Sequence, residues 1–153
     1  LSVSKQGVAG IVETTGNKDC HVVLPPNEVG TKLPAESAAL AAAELPTKVM
    51  VHCKVGAGEA RAQTAQMAAV QDVAELVAGG SDSVLGVLLP SFLLGGKQPL
   101  RSTSGDAASS RIYGMSVTEP CLDWTSTADA LERLAASVRQ RRAAASAKKP
   151  RTK

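Results

Sequence analysis

Three short apolar runs, at residues 20–24, 47–53 and 84–89, alternate with stretches that favour helix, and this alternation leaves few folds open. Strand, helix and strand in succession build a parallel sheet with helices laid on it. The run at 84–89, Val-Leu-Gly-Val-Leu-Leu, carries no polar side chain and predicts a parallel strand buried on both faces. Residues 8–14 predict a further strand, followed by a turn at Gly16-Asn17. Helix is predicted over 36–45, which is rich in Ala, Leu and Glu and ends at Pro46. A second helix is predicted over 60–78, where Met67, Val70, Val73, Leu76 and Val77 recur at three- and four-residue spacing before Gly79-Gly80. A third begins near Thr125, carries Leu131, Leu134 and Val138 on one stripe, and gives way near Ala143. Residues 27–35 and 95–112 read as loops. Three or four strands do not close a barrel, and a complete (β/α)8 barrel takes about 250 residues. The sheet is therefore open, or the 153 residues are part of something larger.

Composition narrows the class. Hydrophobic residues make up 44% and charged residues 20%, as in an average globular domain. Phe92, Tyr113 and Trp124 are the whole aromatic set, so the core must be built from Leu, Val, Ile and Ala. No run reaches the ~18 apolar residues of a membrane span, and no signal-peptide layout opens the chain. The three cysteines, Cys20, Cys53 and Cys121, are odd in number and never at CxxC spacing. They argue against a disulfide framework and for a reducing intracellular compartment, with each cysteine a small buried hydrophobe. The net charge of +3 hides an asymmetry, because residues 139–153 hold seven basic residues and no acid. The rest carries 10 basic against 14 acidic residues. The expectation is a body over 1–142 and a basic, disordered tail over 143–153, suited to an anionic surface or nucleic acid.

Four stretches then carry a family resemblance. They are Ile11-Val12-Glu13-Thr14-Thr15-Gly16-Asn17-Lys18-Asp19-Cys20-His21, Val49-Met50-Val51, Leu85-Gly86-Val87-Leu88-Leu89, and Tyr113-Gly114-Met115-Ser116-Val117-Thr118-Glu119-Pro120-Cys121-Leu122-Asp123-Trp124. In order and spacing they resemble the C-terminal portion of class I 3-deoxy-D-arabino-heptulosonate 7-phosphate (DAHP) synthase. That family condenses phosphoenolpyruvate with erythrose 4-phosphate, the first step of the shikimate pathway. The resemblance implies an α/β fold, the C-terminal part of a (β/α)8 TIM barrel, holding about its last three strands. The earlier strands, and with them the family's cysteine ligand, fall outside the matched part.

The resemblance also implies a divalent metal held by Cys, His, Glu and Asp, and here it fails residue by residue. The family's histidine ligand falls on Val55, its glutamate ligand on Pro90, a neighbouring histidine on Phe92, and a substrate-binding arginine on Pro25. The aspartate ligand falls on Glu119, which keeps a carboxylate on a longer stem. Valine and proline offer no donor atom. His52 and Cys53, beside the lost position at Val55, are the remaining candidates for a metal with Glu119, while His21 reads as packing. Gly56-Ala57-Gly58-Glu59-Ala60-Arg61 precedes a helix but lacks the lysine and hydroxyl of a P-loop. Lys149-Pro150-Arg151-Thr152 is the tetrapeptide of the family's sugar-phosphate site, but there it belongs to the N-terminal half and here it lies in the basic tail, where it reads as chance.

The expectation is thus a DAHP synthase-like chain without a cofactor of its own and inactive alone. The alternative is a pseudoenzyme that serves as a structural or interaction subunit, paired with another protein chain or with itself. An unpaired strand edge on a part-barrel favours such association.

Overall fold

The computed structural model describes residues 1–17, 19–54, 62–100 and 111–147, with side chains for all of these except 26–32 and 34. A short antiparallel pair, β1 (Ser2–Val3) and β2 (Ala9–Gly10), precedes the body. The body is a parallel sheet of β3 (Val22–Leu24), β4 (Val49–His52) and β5 (Val84–Leu88), in the order β3-β4-β5. Helix α1 (Pro26–Ala42) links the first pair of strands and α2 (Ala62–Ala78) precedes β5. A second parallel pair, β6 (Leu94–Lys97) and β7 (Met115–Ser116), leads into α3 (Trp124–Ala147).

The core lies between one face of the sheet and the helices. Along β4 the side chains alternate, as a strand of period two requires. Val49, Val51 and the following Cys53 are fully buried, whereas Met50 and His52 are half-buried on the other face. Val70, Val73 and Val77 of α2 cover the buried face, joined by Leu33 of α1 and Ala130 of α3. Nothing in the described chain covers the opposite face, where Val23 is 44% and Leu88 42% exposed. In a closed barrel that face would be the packed interior.

Several expectations are corrected. Residues 27–35 are helical, because α1 starts at Pro26, whose missing N–H costs nothing at the first helical position. The helix continues through Pro34, with Leu33 buried against the core, so tertiary packing overrides the local breaker. Pro46 does not end it. Glu44 adopts a left-handed conformation (φ 56°), and Leu45 N donates to Leu40 O at 2.9 Å, closing the last turn. The strand expected over 8–14 shrinks to two residues, leaving Ile11 and Val12 exposed. Residues 95–97 belong to β6 instead of a loop, and 101–110 lie outside the described residues. Strand β5 is buried on neither face: Val84 and Val87 are partly buried against the core, and Leu85 and Leu88 are open to solvent. Helix α3 runs four residues beyond Ala143 to Ala147, and 148–153 lie outside the described residues. Cys20 and His21 are exposed, because β3 starts after them and both sit on the open N-terminal rim of the sheet. Among the described residues no helix is long and apolar enough to cross a membrane.

Candidate functional site

At the C-terminal ends of the strands a cleft of about 540 Å³ opens between the end of β5 and the segment around β7. Leu89, Pro90 and Phe92 form one wall, and Met115, Ser116, Val117, Thr118, Glu119 and Cys121 form the other. Two reciprocal backbone bonds clamp the walls together. Phe92 N donates to Leu122 O, and Leu122 N donates to Pro90 O, both at 2.9 Å. Leu122 is fully buried behind them. Two glutamines of α2 brace the second wall, Gln63 Nε2 donating to Cys121 O (3.3 Å) and Gln66 Nε2 to Pro120 O (3.1 Å). Gln66 is 2% exposed, and its Oε1 has no hydrogen-bond partner among the described residues. Gln98 pins the same segment from the other side, accepting from Ile112 N at 2.9 Å and donating to Met115 O at 2.8 Å. These three glutamines escaped sequence reading, since polar residues on a helix or near a strand end read as solvated.

Glu119 is set by its own loop. Ser116 Oγ accepts from Thr118 N and Glu119 N, each at 3.3 Å, and turns the chain so that the carboxylate faces the end of β4. There Lys54 meets it, Nζ to Oε2 at 2.9 Å. Neither side chain is buried, so the pair contributes about 1 kcal/mol or less to stability. Its weight is chemical, because the carboxylate already faces a cation from its own chain. The sequence signal for Lys54 was its place directly after Cys53, at a strand end.

His52 and Cys53 do not combine. Strand alternation sends them to opposite faces of the sheet, His52 to the open face and Cys53 into the core. Burial pushes the Cys53 thiol up to about 11, so it stays protonated and is a poor ligand or nucleophile at neutral pH. Pro25 is exposed at the end of β3, in extended conformation (φ −69°, ψ 154°) ahead of α1. Val55 and the segment 56–61 lie outside the described residues, as does 149–152. At the far end of α3's approach, Asp123 caps the helix, accepting from Ser126 N at 2.7 Å, and these helix-start donors hold its carboxyl below the usual range.

The arrangement of strands, clamped loops and closing helix has counterparts. A solved phospho-2-dehydro-3-deoxyheptonate aldolase from Francisella tularensis SCHU S4 superposes with a TM-score of 0.76 at 31% identity, over 92% of this chain and 40% of that one. Phospho-2-dehydro-3-deoxyheptonate aldolase is another name for DAHP synthase. The enzyme of that name from Corynebacterium glutamicum is 36% identical over 95% of this chain. The Phe-sensitive enzyme of Escherichia coli K12 is 36% identical over 93% of it. The chain is a homologue of the C-terminal portion of class I DAHP synthases. It spans about 40% of the length of these relatives. No protein-family model matches it. The fold expected from sequence, part of a (β/α)8 barrel, is the one found.

Class I DAHP synthases use a divalent metal. The described residues of this homologue do not fit one. Pro90 and Phe92 present only carbon to the cleft, and Glu119 is engaged by Lys54. No group of three His, Cys, Asp or Glu among the described residues is arranged to hold a metal ion.

Proposed function

We propose that this chain is a DAHP synthase homologue that does not by itself condense phosphoenolpyruvate with erythrose 4-phosphate. The observation that carries the reading is the cleft at the strand ends, where Pro90 and Phe92 line the wall and the one acidic side chain pairs with Lys54. A metal in such a cleft would polarise the aldehyde carbonyl as a Lewis acid, and these side chains supply neither its ligands nor an equivalent charge free to do so. The purified chain, assayed with both substrates and each of Mn²⁺, Zn²⁺, Co²⁺ and Fe²⁺, is expected to form no heptulosonate phosphate above a no-protein control. Product formation with any of these metals would overturn the reading.

A second reading, that the chain works as an interaction subunit, is favoured by the uncovered face of the sheet. Val23 and Leu88 are each more than two-fifths exposed there, in positions a closed barrel would bury. With over half of each side chain already covered, full burial would add about 1 kcal/mol apiece. Sedimentation of the purified chain is expected to show association. A well-folded monomer at all concentrations would refute this second reading.

A further inference from the structure

The free edge of β5 is flanked by an apolar groove. Strand β5 pairs with β4 alone among the described residues, so one of its edges is open. Leu88 O accepts from Cys53 N across the paired edge, and by alternation the backbone groups of Val87 turn to the open one. Beside that edge lies a groove of about 170 Å³, lined by Val73, Val77, Leu85, Val87, Leu134 and Val138. Arg141 stands at its mouth, with Nη1 bonded to Ser81 O at 2.8 Å, just ahead of β5. An open edge beside an apolar groove is a template for an added strand.

The chain also carries a strand-like segment that pairs with β1 along one edge only and leaves its large apolar side chains exposed. Ile11 is 91%, Val8 65% and Val12 57% exposed, and Glu13 follows them. Alternation puts Ala9, Ile11 and Glu13 on one face of an extended segment and Val8 and Val12 on the other.

We propose that the segment 8–13 of a second copy adds as an antiparallel strand to the free edge of β5. This rests on the reading that the chain self-associates, and it names the site. Ile11 of the second copy fills the groove, whose volume exceeds the ~150 Å³ of an apolar cavity that holds benzene. Its Glu13 meets Arg141 at the start of β5, and that contact selects the antiparallel direction, because Glu13 ends the segment where β5 begins. Val8 and Val12 extend the open face to which Leu88 belongs. Reciprocal exchange between two copies closes a two-fold dimer.

The test is sedimentation velocity of the full chain over a concentration series, with hydrogen exchange at the Leu85 and Val87 amides. Ile11→Lys alters a side chain with almost no intramolecular contact, so the fold is kept. It is expected to weaken association about tenfold or more and to unprotect both amides. Glu13→Arg is expected to weaken association, and the pair Glu13→Arg with Arg141→Glu to restore it. If the wild type associates and Ile11→Lys changes neither association nor exchange, this site is wrong while self-association stands. A wild type that is monomeric at every concentration overturns both. Should the doubly exchanged chain fail to fold, Ile11→Lys and Glu13→Arg alone decide.

Discussion

Substituting Gly114 tests the conformation on which the cleft depends. Gly114 has φ +81°, in the left-handed region, just before β7. A Cβ built there would lie 3.0 Å from the Cβ of Leu93. The left-handed backbone costs an ordinary L-residue roughly 1–2 kcal/mol. The close approach adds to this, because the Cβ of Leu93 is fixed to a backbone that Leu94 N ties to Gly114 O at 2.8 Å, so only a small backbone shift relieves it. Gly114→Ala is therefore expected to cost about 2 kcal/mol, a fall in Tm of about 4–8 °C for a chain of this size. Gly114→Asn should cost less, since Asn tolerates the left-handed region while its Cβ meets the same neighbour. Circular dichroism melts at one fixed protein concentration separate the three chains, because association makes Tm depend on concentration. An unchanged Tm for Gly114→Ala, or Asn costing more than Ala, would show that the segment is not held as described.

Three further outcomes are expected. Leu122→Ala, at a fully buried position behind the clamped loops, should lose about 2–5 kcal/mol in urea unfolding. Iodoacetamide at pH 8 should modify the exposed Cys20 and spare Cys53, read by mass spectrometry of the native chain. The Cys53 thiol ionises near 9.0 when unfolded and near 11 when folded, so its contribution to stability is complete below pH 9 and is lost as pH rises towards 11. Asp123→Ala should lower Tm by removing the cap of α3, and Asp123→Asn should retain most of it. The depressed carboxyl of Asp123 makes that contribution full at neutral pH and lost as pH falls through its folded-state value.

Local pattern carried the elements whose periodicity and burial agree. The three- and four-residue spacing from Met67 to Val77 announced α2, and the apolar run at 47–53 announced the strand that became β4. Of the site, Glu119, Pro90 and Phe92 were legible as positions, because the motif around Tyr113 to Trp124 and the apolar run before Pro90 resemble a known family. Their company was not. That Lys54 closes on Glu119, and that Gln63, Gln66 and Gln98 hold the wall, depends on contacts up to 65 residues apart in the chain. Periodicity sees only neighbours a few positions away. Helix α1 was misread for the same reason, since Gly30 and Pro34 look like a loop until Leu33 is seen packed in the core.

The sequence by itself determined that strands and helices alternate and that the sheet is parallel. Each follows from side-chain chemistry or short-range spacing, which need no knowledge of the rest of the fold. Tertiary structure decided which side of each strand is covered. The run at 84–89 is apolar throughout and so cannot say which face stays open. Only the packing of α1, α2 and α3 against one side leaves Leu88 uncovered on the other, and among the described residues the second edge of β5 is unpaired.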